Sequence, residues 1–363
     1  MKFNERKLHA LAKKAASLGI ELFVLDDGWF GKRDDDTSSL GDWKVDLKKL
    51  PHGLQGLSKY VHKLGMKFGL WFEPEMVSPN SDLYRAHPEF AIQDGLHEPS
   101  LGRHQLNLDL TKKEVRDYIV ETVSGVLLST SIDFVKWDYN RNISDLPVSS
   151  GEFFHDYILG LYEVMTRLTE RFPKILFENC ASGGNRCDLG MLSFFPQTWV
   201  SDDTDSFERT KIQEGMVLGY PLSTMSNHVA AKTSGQMLRK TSFGTKFDVA
   251  CMGVLGYELD INDINGLESD EIHKEIALYK ENREVFQYGI YDQLESIYEG
   301  SFSSKEVHKG DKAFVSKTLG IQTPHPSVQT LRLVDLEPKA LYSYGVRSEG
   351  IDLKKFGAML KVC

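Results

Sequence analysis

Apolar and polar positions along this chain follow two periods in alternation. Leu8, Leu11, Ala12 and Ala15 recur at helical spacing and predict a helix over residues 4–18, closed by Gly19. ELFVLDD (21–27) then reads as a buried strand. The alternation continues with a helix over 56–65, a strand MKFGLWFE (66–73), a short strand QLNLD (105–109) and a helix over 111–129. After these come a strand IDFVKWD (132–138), a helix over 153–171, strands KILFENC (174–180) and QTWVSD (197–202), and a helix over 207–219. A strand GVLGYELD (253–260) and a helix over 269–284 complete the series. The strands are continuous apolar runs, the signature of a parallel sheet covered on both faces. A doubly wound sheet and a (β/α)8 barrel both fit. Seven strands and an opening helix suggest a barrel whose first strand is missing from this chain.

After about residue 286 the character changes. SIYEG, AFVSKTL and VQTLRLVDL are strand-like, and LEPKALY reads as a linker into one more strand. The expected organisation is therefore a (β/α) barrel domain over 1–285 and a small antiparallel β domain over 286–363. The final stretch GVRSEGIDLKKFGAMLKVC takes no assignment.

Composition changes this picture little. The net charge of −9 over 363 residues argues against nucleic acid or an anionic membrane as the main partner. The amphipathic opening MKFNERKLHALAKKAASLGIE has no apolar core of a signal peptide, and no run of about 18 apolar residues suggests a membrane span. Cys180, Cys187, Cys251 and Cys363 lack structural-zinc spacing and do not read as a disulfide framework at this size. The expectation is a reduced, cytoplasmic protein. Eleven percent aromatic residues is a weak hint of platforms for sugar rings.

The strand ends carry the chemistry. Strand 21–27 ends in Asp26 and Asp27, followed by Gly28 and Trp29. Strand 66–73 ends near Trp71, Glu73 and Glu75. Strand 132–138 ends in Lys136 and Asp138, two residues apart and so on one face. Strand 174–180 ends in Glu178, Asn179 and Cys180, and strand 197–202 in Trp199 and Asp202, followed by Asp203 and Asp205. So many carboxylates at one mouth need cations, shared protons or a bound polyol. A single Asp at a strand end most often caps the next helix. Asp205, with Glu208 three residues on, fits that description; Asp26, Asp27, Asp138 and Asp202 taken together do not. A metal site lacks nearby histidines, and DDTD lacks calcium-loop spacing, so neither a metal nor another cofactor is expected. Two carboxylates among tryptophans fit glycosidic bond cleavage. Lys136 would keep Asp138 ionised, while the pair Asp202 and Asp203 could raise one carboxyl by repulsion. Trp29, Trp71 and Trp199 would line the pocket, although any one tryptophan alone is more often packed.

LFVLDDGWFGKRDDD, KFGLWFEPEMV, DFVKWDYNR, FENCASGG and QTWVSDDTD occur in this order, and together they resemble the α-galactosidases of glycoside hydrolase family 36 from residue 1 to about 340. The resemblance implies a retaining mechanism on terminal α-1,6-linked galactose, as in melibiose, raffinose and stachyose. It implies Asp138 as nucleophile and Asp202 as acid/base. It also implies Asp26 and Asp27 as the grip on the galactose 4- and 6-hydroxyls, and Trp71, Arg103 and Lys136 as further substrate contacts. Cys180 and Gly183 fall near the 2-hydroxyl, where the small Ser182 and Gly183 leave an N-acetylgalactosaminidase open. The expected partner is a galactose-containing oligosaccharide, with a homo-oligomer open. Family members also carry an N-terminal β-sandwich and a first barrel strand with a tryptophan motif, and neither is in this sequence. His104 stands where the family often has Asn, and the tail beyond about 345 matches nothing in it. Two alternatives accompany the hydrolase: a truncated relic or sugar-binding fragment, and a transglycosylase of the raffinose synthase type.

Overall fold

The first helix illustrates how the local sequence sets the elements. Asn4 accepts from the Lys7 amide at its start, and Gly19 closes it at φ 92° with its N–H on the Ala15 and Ala16 carbonyls. Leu8, Ala12, Ala15 and Leu18 form its buried stripe. The computed structural model describes residues 2–147, 151–319, 331, 333–334, 336 and 342–347, and the chain separates into two compact units.

The first unit comprises residues 1–202 with 261–263. It contains α1 (Glu5–Leu18), β1 (Leu22–Leu25), α2 (Gly53–Lys63), β2 (Lys67–Phe72), β3 (Met76–Val77), α3 (Asp82–Ala86) and β4 (Leu106–Asn107). It continues with α4 (Lys113–Ser129), β5 (Phe134–Trp137), α5 (Gly151–Arg171), β6 (Leu176–Asn179), α6 (Leu189–Phe194) and β7 (Gln197–Trp199). Its parallel sheet runs β1-β2-β5-β6-β7. The interior of β2 is buried at every position from Phe68 to Phe72, as a strand covered on both faces requires.

The second unit comprises residues 203–260 and 264–363. It holds α7 (Ser206–Val217), β8 (Met225–Ala230), α8 (Phe243–Ala250), β9 (Val254–Glu258) and α9 (Gly266–Tyr288), followed by β10 (Ile290–Glu295), β11 (Phe302–Lys309) and β12 (Lys312–Leu319). β8 and β9 pair in parallel, and β10-β11-β12 form an antiparallel sheet. Asp205 caps α7, accepting from the Phe207 and Glu208 amides as its sequence suggests.

The seven parallel strands bear out the (β/α) barrel class, but not strand by strand. QLNLD is not one of them: β4 pairs antiparallel with β3 in an excursion from the sheet. Met225–Ala230 takes its place in the count. Its Ser, Asn and His interrupt the apolar run on which the sequence reading depended, yet Ser226 and Asn227 are both buried. SIYEG forms a turn rather than a strand. Most of VQTLRLVDL and LEPKALY, and the tail with Cys363, lie outside the described residues.

One helix contact has a sign opposite to the usual rule. In α5, a Cβ built on Gly160 would lie 2.1 Å from the Leu110 carbonyl oxygen. Gly→Ala inside a helix ordinarily stabilises by about 1 kcal/mol. Here overlap with a fixed backbone atom reverses that, and Gly160→Ala is expected to cost about 1–3 kcal/mol. Thermal or urea denaturation measures it; an unchanged or higher midpoint would refute the close approach.

Candidate active site

Parallel pairing fixes which side chains share a level. Trp71 pairs with Lys136, Lys136 with Glu178, and Glu178 with Gln197. Extending the β1–β2 register by one residue adds Asp26 to this row. Side chains on one level of a parallel sheet face the same way, and those two residues on face that way again. The next level therefore holds Glu73, Asp138, Cys180 and Trp199. The ladder continues that far: the Asp138 amide donates to Phe72 O and the Cys180 amide to Trp137 O, each at 2.8 Å. Trp137 points to the opposite face, where its indole donates to Glu75 Oε1 at 2.8 Å. This is why Lys136 and Asp138 sit together with a tryptophan between them in sequence but not in space.

Asp138 is 7% exposed. Its Oδ2 accepts from Trp71 Nε1 at 3.1 Å and its Oδ1 from the Tyr139 amide at 2.9 Å. Burial alone would push its carboxyl up. The Lys136 charge, with hydrogen bonds from Asn140, Cys180 and Trp71, outweighs burial and holds it below the usual carboxylate value. Lys136 Nζ donates to Asp26 Oδ2 at 3.1 Å and stands 5.9 Å from the centre of the Trp199 ring. Burial works against its charge, but Asp26, Cys180, Asp138 and Glu178 together raise it well above the ordinary lysine value. Burial, and then Asp138, push the Cys180 thiol up, so it stays a thiol donating to Asp138.

Asp202 reaches the same group of residues through Trp199, whose Nε1 donates to Asp202 Oδ1 at 2.8 Å. The loop after β6 packs against that segment. A Cβ on Gly183, which sits at φ 92°, would lie 2.8 Å from Ser201 Cα and 3.1 Å from the Asp202 amide nitrogen. Only glycine fits both the dihedral and the space. Ser182 Oγ donates to Asn140 Oδ1 at 2.8 Å, joining this loop to the one after β5.

Asp27 is held differently from Asp26. Arg33, almost fully buried, grips both its oxygens, with Nη2 at 2.8 Å and Nε at 3.0 Å. Burial still pushes Asp27 above its ordinary value against that pairing. Buried Lys49 holds the loop from beneath, donating to the carbonyls of Gly28 and Arg33.

Asp26, Trp71, Lys136, Asp138, Cys180, Gly183, Trp199 and Asp202 are thus connected in one unit, with Asp27 beside Asp26. Trp29 is a correction. It has no exposed surface and lies among Phe30, Trp43 and Phe72, its indole donating to Trp71 O at 2.9 Å. It packs beneath the strand ends and borders a separate cavity with Trp43, Leu54 and Val126, away from the group around Asp138. Arg103 is exposed at φ 50° in the turn bridged by Gly102 and Gln105, and no described residue pairs with it. Sequence reasoning did not single out Asn140, Arg33 or Gln105. The signal was present for Asn140, which stands two residues beyond Asp138.

The Melibiase family profile matches residues 1–289. The alpha-galactosidase AgaA of Geobacillus stearothermophilus is 50% identical over 305 residues, which is 82% of this chain and 42% of that one. Crystal structures of AgaA variants in complex with raffinose and with stachyose each superpose at a TM-score of 0.90 and 46% identity, covering 93% of this chain and 48% of theirs. The chain spans about half the length of the curated relatives it matches.

The electrostatics can be tested directly. In Lys136→Met, burial of Asp138 loses its largest opposing influence, so the carboxyl should protonate at higher pH than in the parent. Asp138's contribution to stability is present above its unfolded value of 3.8 and lost as pH falls through its depressed folded value. The variant should lose that contribution at higher pH. Carbon-13 NMR of labelled aspartate reads the midpoint; an unmoved midpoint would refute the dependence on Lys136.

Proposed function

The chain belongs to the Melibiase family, the α-galactosidases of glycoside hydrolase family 36, and on that premise we propose that it cleaves terminal α-1,6-linked galactose from raffinose-type oligosaccharides by a retaining double displacement. Asp138 attacks the anomeric carbon while Asp202 protonates the departing oxygen. Asp202 then takes a proton from water, and that water releases galactose from Asp138 with its configuration kept. Asp26 and Asp27 hold the 4- and 6-hydroxyls, which separate galactose from glucose by the axial 4-position. Trp71 and Lys136 complete that side, Cys180 and Gly183 lie toward the 2-hydroxyl, and Trp199 and Arg103 supply further contacts.

The observation that carries this reading is the buried Asp138 kept ionised by Lys136. A nucleophilic carboxylate must be charged and poorly hydrated, and this pairing supplies both conditions. The raffinose and stachyose complexes of the relative support the choice of substrate.

The purified chain should hydrolyse p-nitrophenyl α-galactoside and leave the matching glucoside intact. A folded circular dichroism spectrum with no turnover of either would overturn the proposal in favour of a non-catalytic sugar binder. Asp138→Ala should abolish turnover, and azide should restore it as a β-galactosyl azide; failure to form that product would rule out Asp138 as nucleophile. Asp202→Ala should slow poor leaving groups by roughly 10²–10⁴-fold and good ones far less. Equal losses for both would exclude Asp202 as the acid.

A further inference from the structure

We propose that Glu73 is a positioning residue that fixes Asp138 through Asn140. The inference rests on the reading of Asp138 as nucleophile.

Glu73 follows β2 on the inward level that also holds Asp138, and it is 1% exposed. Its Oε1 accepts from Gln105 Nε2 at 2.7 Å and from the Asn140 amide at 2.6 Å. The Asn140 side chain lies within hydrogen-bonding reach of both Glu73 and Asp138, and its Oδ1 accepts from Ser182. One asparagine thus bridges the two carboxyl groups, and its orientation is set by partners on three loops.

Glu75, two residues on, provides the contrast. Arg186 Nη1 reaches both its oxygens at 2.8 and 3.0 Å, and Trp137 and Tyr157 donate to it as well. Glu75 has a cation, and no described cation pairs with Glu73. The donors to Glu73 are neutral amides, and the charge it feels most is Asp138 itself. Beyond Asp138 stands Lys136, engaged with Asp26. The turn carrying Gln105 contributes exposed Arg103 and His104, and Cys180 beside Asp138 remains a thiol. Burial, and then the Asp138 charge, push Glu73 up to about 8. A neutral Glu73 lets Asn140 turn its amide toward Asp138. An ionised Glu73 would compete for that amide and set a second negative charge beside the nucleophile.

Infrared difference spectroscopy across a pH titration of the full chain reads the proton without requiring activity. A buried protonated carboxyl component titrating near pH 8 should be present at pH 7 and be absent in Glu73→Gln, which leaves the component of Glu275, pushed by burial up to about 7, in place. In Asp138→Asn the Glu73 midpoint should move to lower pH, because the charge that raised it is gone. No difference between the parent and Glu73→Gln at pH 7, or a midpoint unmoved in Asp138→Asn, would overturn the inference. On the galactoside, Glu73→Ala should lower kcat at least tenfold. Glu73→Gln should recover most of that and move the alkaline limb of kcat/KM upward. A loss with the limb unmoved would indicate a merely structural role and refute the proposal. A wild-type chain without turnover would count against the proposed function, while the Glu73 component and its Asp138→Asn shift would still decide Glu73.

Discussion

The strand ends depend on Lys136 remaining charged where burial opposes it. An ammonium group in that position is tolerated because Asp26 touches it and Asp138, Glu178 and a tryptophan face surround it. The dependence is mutual. Without the cation, Asp138 would be a desolvated carboxylate with neutral donors only, and burial would favour its protonated form. The charge pattern of the site is therefore settled cooperatively, and no single carboxylate there has an environment of its own.

Crowding of acidic groups is resolved by giving each a different partner. Asp26 takes Lys136, Asp27 takes buried Arg33, Glu75 takes Arg186, and Glu178 accepts a short hydrogen bond of 2.5 Å from Gln197. Asp202 takes the Trp199 indole. The two-residue period of the strands makes this sorting possible, because it delivers Lys136 and Asp138 to one side and sends Trp137 to Glu75 on the other. Sites of opposite character are thereby built from consecutive residues.

Much of this could be read from the chain. Continuous apolar runs identified the parallel strands, and the polar residues terminating them marked the site. The count of seven was right only because two errors cancelled. Leu106 and Asn107 look like sheet residues but belong to an excursion, whereas Ser226, Asn227 and His228 look like loop yet form a strand. Periodicity measures apolarity, and a barrel strand that carries buried polar groups gives it little to measure. Trp29 failed for a related reason. A tryptophan after a strand end can face the cavity or the packing beneath it, and which one follows from the turn of the Asp26–Asp42 loop around Arg33 and Lys49. Asn140 went unremarked because an amide has no charge to signal that it bridges two carboxyl groups.

Glu75 receives hydrogen bonds from β5 through Trp137, from α5 through Tyr157 and from the loop after β6 through Arg186. Three segments distant in sequence are thus tied to a single carboxylate with no exposed surface. Their conformational freedom is surrendered when the chain folds, well before any ligand arrives. A ligand reaching these segments would meet loops already ordered, so its association would carry little of the entropic penalty that mobile binding loops impose.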